Sequence, residues 1–379
     1  MPNKISFFAF LLLFLVSCGK GERSSSVALT DGSSLSYASR ITITHHPEGW
    51  DEACIINPWD TTAILQTVAM LPHGMAQLPS DIPSGAVVVK VPLANSLVET
   101  SVHIGLLEDL GAADAIGGVS DVDYIKSAYI LERLKNGEVE NCGAWMAPNI
   151  ERIMKLQPDA ILISPYQNGG TYGHITELGI PVIYVADYLE DLPLGRAEWI
   201  KYYGLLFGKK EIADSIFSSV ETKYNKIKNL AAEKVKSDGA KKVVMDIPYS
   251  GTWQVPANGS INDTFIRDAG GDNPFSDLQG TQFISLSPEK VLHKAHDADA
   301  WIIRWNSGSP LSLKSLTEEC SSAPYFKAFR DGNVWGCNTN EVFYFEESPF
   351  HPEFMLEDIY RIIHTKLDTD SLHYFSRMY

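Results

Sequence analysis

The sequence has few positive charges and few cysteines. It contains 31 lysine and arginine residues against 47 aspartate and glutamate residues, and its formal net charge is -16 over 379 residues. Such an acidic surface argues against nucleic acid and anionic lipid as partners. None of the spacings between its 5 cysteines matches the CxxC pattern of a zinc site. The composition therefore excludes several classes of partner, although it does not indicate a fold.

Motifs of the common enzyme classes are also missing. The chain has no GxSxG nucleophile turn, no HExxH zinc motif and no Walker phosphate loop. Glycine pairs such as Gly117-Gly118 do not form a GxGxxG dinucleotide motif and fit turns or helix ends better. The adjacent His45 and His46 would point to opposite faces of a strand, which disfavours a shared metal. We therefore predict a protein without catalytic residues, resident cofactor or bound metal.

The amino terminus carries one apolar run, over residues 5–16, which follows Lys4 and leads into Cys18. This run is too short for a comfortable membrane span and is typical of a secretory signal peptide, which we assign to residues 1–17. The order Leu-Val-Ser-Cys resembles the bacterial lipobox, which implies lipidation of Cys18 and anchoring by acyl chains. An ordinary cleaved signal that happens to contain a cysteine is the alternative. Residues 18–39 are rich in serine and glycine, which predicts a flexible tether.

The rest of the chain predicts two α/β lobes. About 360 residues remain after the signal, more than the ~250–300 at which a single core usually divides. Residues 40–84 contain short strand-like runs and are predicted to be an amino-terminal β extension; the following AVVVKVP should be the first strand of a lobe. Alternating short strands and longer helices indicate parallel sheets in residues 85–209 and in residues 239–379.

A single long helix is predicted between the lobes. Apolar residues recur every three or four positions through residues 210–238. A helix of this length spans roughly 40 Å, enough to run from one lobe to the other. Two lobes joined in this way would leave a cleft, which is a preferred place for a ligand.

Four cysteines follow Cys18, and an even number in an exported chain permits two disulfides in three possible pairings. Pairing Cys54 with Cys142 and Cys320 with Cys337 would keep each bridge within one lobe. We state this pairing as an expectation, with the other two pairings left open.

Five segments of the chain, in order, form a recognisable set: GAWMAPNIERIMKLQPDAILI, LGIPVIYV, GSINDTFIRDAGGDNPF, ISLSPEKVLHKAHDADAWII and FRDGNVWGCN. Together they resemble the substrate-binding lipoproteins of bacterial ABC importers for iron-siderophores, haem and vitamin B12. The resemblance implies two Rossmann-like lobes with parallel sheets joined by one long helix. It also implies a monomeric lipoprotein that faces the periplasm, binds a small-molecule chelate and works with an ABC permease and its ATPase. The β extension lies outside the resemblance, which therefore gives it no role.

The same resemblance implies a role for two acidic residues. Glu151 in PNIERI and Glu289 in SPEKVL match the family's glutamates that pair with arginines of the permease, one on each lobe. A carboxylate in the first turn of a helix is favoured by the helix dipole and can bind an arginine through two hydrogen bonds. The alternative is plain stabilisation of the helix start, because Asn149 and Ser287 have the character of N-caps.

Ligand contacts are assigned by the resemblance and by residue type. The predicted ligand-binding residues are Tyr124, Trp145, Tyr166, Trp253, Phe283, Arg304, Tyr344 and Phe345. Aromatic walls suit a large, flat, partly apolar ligand, and a corrinoid such as vitamin B12 fits such a charge-poor cleft best. A ferric siderophore would use arginines such as Arg304. Haem would require an axial ligand, for which Tyr166, His174 and Met146 are candidates.

Two other function classes remain as alternatives. An envelope enzyme acting on a tetrapyrrole would need a convergent titratable pair, for example His174 with Asp187. An adhesion or accessory lipoprotein would bind a protein partner through the β extension. His351, near the last helix, is either a ligand contact or a helix cap.

Overall fold

The computed structural model describes residues 35–167, 173–280, 282–365, 367 and 371–379. The predicted signal peptide, Cys18 and most of the predicted tether lie outside this range. The strands are β1 (Ile41–His46), β2 (Trp50–Ile56), β3 (Ile64–Pro72), β4 (Val87–Val91), β5 (Ser96–Val98), β6 (Ile116–Val119), β7 (Glu140–Asn141), β8 (Gly143–Ala144), β9 (Ala147–Pro148), β10 (Ala160–Ile163), β11 (Val182–Tyr184), β12 (Lys241–Met245), β13 (Trp253–Pro256), β14 (Gly271–Asp272), β15 (Phe283–Leu286), β16 (Ala300–Trp305), β17 (Val334–Asn338) and β18 (Ser376–Arg377).

The α-helices are α1 (Ser101–Asp109), α2 (Ala128–Asn136), α3 (Ile150–Leu156), α4 (Pro193–Glu198), α5 (Ile200–Leu206), α6 (Lys210–Asp238), α7 (Ile261–Asp268), α8 (Pro288–Ala295), α9 (Leu313–Glu319), α10 (Lys327–Arg330), α11 (Tyr344–Glu347) and α12 (Pro352–His364). Short 3-10 helices cover Ala113–Ala115, Val122–Tyr124, Gly173–Leu178, Asp187–Leu189 and Ala323–Tyr325. Within the described part of the chain, no helix is long and apolar enough to cross a bilayer.

The β extension forms a sheet of its own with the order β1-β2-β3-β4. Its first three strands are antiparallel, whereas β4 pairs parallel to β3. Alternate residues, such as Ile41 and Ile43, are buried in the core that the extension shares with the following lobe. The prediction that AVVVKVP opens the lobe is therefore wrong: β4 completes the extension sheet, and the lobe's first strand is the short β5.

Two sets of polar contacts fix the extension to the amino-terminal lobe. The side-chain amide of Gln66 on β3 donates to the carbonyl of Val182 at 2.9 Å and accepts from the backbone N–H of Tyr184 at 2.8 Å. Backbone N–H groups of residues 36–40 donate to the buried carboxylates of Glu198 and Glu190. Residues 36–39, which we had assigned to the tether, are thus bound to the lobe.

The two lobes have similar architecture. The amino-terminal lobe contains a parallel sheet with the order β11-β10-β5-β6-β7, and the carboxyl-terminal lobe contains the order β14-β12-β16-β17-β18. The second sheet is parallel apart from its last strand, β18, which runs antiparallel to β17. Continuous apolar strands such as AILI at β10 are buried on both faces, as parallel sheets covered by helices require.

One helix links the lobes over the residues that the sequence predicted. Helix α6 buries an apolar stripe that includes Phe217, Val220, Tyr224 and Ile227. It packs against α5 of the amino-terminal lobe and α12 of the carboxyl-terminal lobe. At 29 residues it is roughly 43 Å long.

All four described cysteines are free thiols. Cys54 lies on β2 of the extension and Cys142 follows β7 of the lobe sheet, whereas Cys320 ends α9 and Cys337 lies inside β17. Because all four thiols are free, the expected pairing of Cys54 with Cys142 and Cys320 with Cys337 is wrong. Burial raises the pKa of the Cys142 and Cys337 thiols to about 12, so both are unreactive at neutral pH.

Candidate ligand-binding cleft

Two adjoining cavities lie between the lobes. The first has a volume of about 390 Å³ and the second of about 230 Å³; both are lined by Ile261, Asn262 and Phe283. The first cavity is lined further by Arg40, Pro58, Trp59, Tyr188, Leu189, Glu190, Asp191, Ser260 and Gln282. The second is lined further by Val102, Pro193, Arg196, Phe265, Arg304, Tyr344, Phe345, Ser348 and Pro349.

The carboxyl ends of the parallel strands supply polar residues to this region, as in other open α/β sheets. In the amino-terminal lobe, Glu99 follows β5, Asp121 follows β6, and Tyr188 lies in the short helix after β11. In the carboxyl-terminal lobe, Asp246 follows β12 and Arg304 lies near the end of β16. The topology thus gathers residues from distant parts of the sequence at one place.

Glu99 is a buried carboxyl group at the edge of the amino-terminal lobe. Its side chain accepts a hydrogen bond from the backbone N–H of Ser164 at 2.6 Å. Burial, with a smaller contribution from Asp121, raises its pKa from 4.5 to about 7. Nearby, burial raises the pKa of Tyr166 and Tyr188, and the charge of Glu99 contributes to both shifts. A carboxyl group in this state can donate or accept a hydrogen bond near neutral pH.

The arginine of the second cavity is held by a network. Arg304 donates to Asp246 from Nε at 3.1 Å and from Nη2 at 2.5 Å. Its Nη1 donates to Asn262 Oδ1 at 2.9 Å and to the Tyr344 hydroxyl at 3.2 Å. The bidentate pair with Asp246 neutralises the guanidinium and fixes its plane.

A second paired arginine belongs to a buried cluster in the amino-terminal lobe. Asp187 is 1% exposed, and it contacts His103 Nε2 at 3.1 Å and Arg196 Nε at 3.3 Å. Although burial opposes ionisation, these partners keep the pKa of Asp187 below its usual value. The alternative of an enzyme that uses His174 with Asp187 loses support, because Asp187 is enclosed in this cluster; the His174 side chain lies outside the described residues.

A family model described as periplasmic binding protein matches residues 99–336. The chain belongs to the periplasmic binding protein family. This is a family of substrate-binding transport proteins and not a family of enzymes. The match begins after the β extension, so the extension is additional to the part that the family model describes.

Related proteins agree with this assignment. An uncharacterized lipoprotein of Methanocaldococcus jannaschii is 29% identical over 287 residues, covering 73% of this chain and 66% of that protein, just under two thirds of its length. The high-affinity heme uptake system protein IsdE of Staphylococcus aureus is 26% identical over 217 residues, covering 56% of this chain and 68% of that protein. A periplasmic heme binding protein from Pseudomonas aeruginosa shares the fold, with a TM-score of 0.58 at 15% identity, over 76% of this chain and 98% of that one.

Half of the predicted contacts line the cavities of this periplasmic binding protein. Phe283, Arg304, Tyr344 and Phe345 do so. Trp253, in contrast, is 0% exposed and stacks on Trp301 in the core of the carboxyl-terminal lobe. Its indole N–H donates to the carbonyl of Met245 at 2.9 Å, so the prediction that Trp253 contacts ligand is wrong for this structure.

The remaining three aromatics lie on the amino-terminal lobe outside both cavities. Tyr124 and Tyr166 are exposed. Trp145 is half-buried against an apolar cluster of the lobe, and its backbone N–H donates to Asp121 Oδ2 at 3.2 Å. All three follow strands of the lobe sheet on the side where Glu99 lies, so they stay predicted contacts of a ligand larger than the cavities.

Sequence reasoning missed Trp59 and Tyr188, which line the first cavity. Tyr188 follows the strand PVIYV, and its place after a buried parallel strand was the signal that could have identified it. No local signal marks Trp59, because its segment is far from the rest of the cavity in the sequence.

The two predicted docking residues are exposed in the first turns of their helices. Asn149 and Ser287 cap α3 and α8 as the sequence predicted, and Glu151 and Glu289 follow them. Backbone hydrogen bonding, with help from the Ser287 hydroxyl, lowers the pKa of Glu289. Both carboxylates are therefore placed where a partner's arginine could reach them.

Two histidine sites complete the comparison with the sequence. His351 lines neither cavity; it occupies the N-cap position of α12, as the helix-cap alternative requires, although its side chain makes no capping hydrogen bond. Its ring lies 3.2 Å from Asp109 of the other lobe and 3.3 Å from Glu353. Among the described residues, one group could offer three metal ligands, namely His46, Glu48 and Asp81. This group does not include His45, so it differs from the shared His45–His46 site that the sequence disfavoured.

Proposed function

We propose that this protein captures a large chelate between its lobes and delivers it to an ABC permease, and that the chelate is a corrinoid. The observation that carries the choice of ligand is electrostatic. Each arginine lining the two cavities is already paired with a carboxylate: Arg40 with Asp191 at 2.9 Å, Arg196 with Asp187 at 3.3 Å and Arg304 with Asp246 at 2.5 Å.

Paired arginines disfavour an anionic ligand. Carboxylates of a siderophore or haem propionates would have to displace Asp246 or Asp191 from an ion pair, in a protein whose net charge is already -16. The amide groups around a corrin ring are neutral, and they require only hydrogen-bond donors and acceptors such as Asn262 and the Tyr344 hydroxyl. Buried polar side chains of this kind fix a ligand's orientation without needing its charge.

The aromatic residues fit the same ligand. Phe283 lines both cavities and Phe345 is exposed beside Tyr344. Aromatic rings cover flat apolar surface at low entropic cost. The first cavity, at about 390 Å³, is at the low end of the ~300–1,000 Å³ typical of ligand pockets, and the second, at about 230 Å³, is below it. The lobes therefore have to separate somewhat to admit a corrinoid.

A titration tests the choice of ligand. The purified protein is titrated with cyanocobalamin, haem and a ferric siderophore, following tryptophan fluorescence and confirming each result by calorimetry. We expect one-to-one binding of cyanocobalamin, weakened at least tenfold in Phe283→Ala. Tyr325→Ala is the matched control, because Tyr325 is an exposed ring that lines neither cavity.

The other outcomes discriminate between the candidates. Preferential binding of haem or a ferric siderophore would refute the corrinoid and leave the transport role standing. Haem is included in the titration because the related IsdE is named as a heme uptake protein. Failure to bind any of the three chelates would overturn the proposed function.

Delivery to the permease is tested separately from binding. We expect the double variant Glu151→Ala with Glu289→Ala to bind ligand normally and to lose transport in vesicles that contain the permease and its ATPase. The matched control is Glu132→Ala with Glu318→Ala, which removes the same charge from two exposed helical positions. Transport at the wild-type rate in the first double variant would contradict the docking role.

A further inference from the structure

The β extension reaches the cleft although it lies outside the family model. The loop between β2 and β3, residues 57–63, contributes Pro58 and Trp59 to the wall of the first cavity. Ser260, Asn262 and Phe283 of the carboxyl-terminal lobe line the same cavity. Trp59 thus occupies a place between the lobes that no residue of the matched region fills.

The loop that carries Trp59 is held by its own hydrogen bonds. Asn57 Oδ1 accepts from the backbone N–H of Trp59 at 3.0 Å and of Asp60 at 3.2 Å. The Asn57 N–H donates to the carbonyl of Ala63 at 2.9 Å, which closes the loop. The Asp60 carboxylate accepts from the Thr62 hydroxyl at 2.6 Å. Trp59 is therefore presented by a defined turn.

The loop is also fixed relative to one lobe. The Ile56 N–H donates to the Arg40 carbonyl at 2.8 Å, and Arg40 pairs with Asp191 of the amino-terminal lobe. Gln66 on the following strand binds the edge of the lobe sheet. Trp59 must consequently move with the amino-terminal lobe while it faces the carboxyl-terminal lobe.

Covering the edge of the lobe sheet does not account for this arrangement. Gln66 and strand β3 are sufficient to cover that edge, and neither of them lines the cavity. Covering the edge does not need a half-buried indole ring in the lining of the cavity. Trp59 lines the same cavity as Tyr188 and Phe283, and three aromatic rings around one cavity suit the face or edge of a macrocycle.

We propose that the β extension is a third wall of the ligand site and that Trp59 contacts the bound chelate, selecting ligands with an extended apolar face. This inference rests on the proposed function, since it requires that a chelate enter the cleft. Ligand selectivity would then depend on a segment that the family model does not include.

The test compares three variants with the same chelate panel of cyanocobalamin, haem and a ferric siderophore. We expect Trp59→Ala to weaken binding of the preferred chelate about tenfold, the ratio that corresponds to uncovering roughly 60 Å² of apolar ring surface. Trp59→Phe keeps an apolar ring and should bind within about threefold of wild type. Tyr325→Ala should bind as wild type does. Unfolding temperatures identify any variant that fails to fold.

A second measurement does not depend on the alanine variant. The difference between wild-type and Trp59→Phe emission isolates the fluorescence of Trp59, which the bound chelate should quench. If Trp59→Ala binds like wild type and this difference signal is unchanged at saturation, the inference is refuted while the proposed function stands. If the wild-type protein binds none of the three chelates, the proposed function fails and the inference fails with it.

Discussion

His351 connects the two lobes through an ion pair whose strength depends on pH. Burial alone would lower the pKa of the imidazole, but the bonds to Asp109 and Glu353 raise the pKa from 6.5 to about 9. Asp109 ends α1 of the amino-terminal lobe, whereas Glu353 lies in the first turn of α12. The protonated ring therefore stabilises the contact between lobes.

The expected magnitude follows from the pKa. A tenfold change in proton affinity corresponds to about 1.4 kcal/mol, so a rise from 6.5 to about 9 is worth roughly 3 kcal/mol, reduced to about 2 kcal/mol by partial solvent screening. Because the folded pKa lies above the unfolded one, this contribution is fully present below pH 6.5 and is lost as the pH rises through about 9.

The assay is urea unfolding of wild type and His351→Gln at pH 6 and pH 10, followed by tryptophan fluorescence. The variant should be less stable by about 2 kcal/mol at pH 6, and most of that difference should vanish at pH 10. The control is His293→Gln, because His293 is exposed on α8. An equal difference at both pH values would refute the reasoning, since packing alone is independent of protonation.

Two further predictions concern Glu99 and Gly105. Burial raises the pKa of Glu99 from 4.5 to about 7, so the wild type loses stability as the pH rises through this range, and the loss is complete above it. Glu99→Gln should be more stable than wild type by about 2 kcal/mol at pH 8 and by little at pH 4.5 in thermal unfolding. A gain that is the same at both pH values would contradict this. A Cβ at Gly105 would lie 2.8 Å from the Glu346 carbonyl oxygen, so Gly105→Val should lower the unfolding free energy by about 1–3 kcal/mol and enlarge the protein in X-ray scattering. Gly74→Val is the control, because a Cβ there meets nothing within 4 Å. Unchanged scattering in Gly105→Val would argue against the idea that the contact of α1 with Glu346 holds the lobes together.

The sequence predicted the features that arise from local patterns. The period of α6 identified the linking helix, and the N-caps Asn149 and Ser287 were recognisable because capping involves residues only three positions apart. Alternating strands and helices identified the two lobes for the same reason. Four of the predicted ligand contacts line the cavities: Phe283 begins β15, Arg304 lies near the end of β16, and Tyr344 and Phe345 lie in α11 after β17.

The failures involve contacts between distant segments. The pattern of AVVVKVP fits either sheet, and only the pairing of β4 with β3 decides between them. Trp253 was assigned to the cleft by residue type, but stacking on Trp301 buries it. Trp59 lines a cavity together with residues more than 200 positions away in the chain, such as Phe283, and no local period encodes that proximity.

The contact of Gln66 with β11 affects how the lobe sheet can pair with other chains. Strand β11 is at the end of its sheet, and such a strand normally offers unpaired N–H and C=O groups on which another chain can add a strand. The side-chain amide of Gln66 makes one donor and one acceptor bond there, to Val182 and Tyr184, as a single peptide unit of a neighbouring strand would. One glutamine thereby occupies part of the edge that another strand would need.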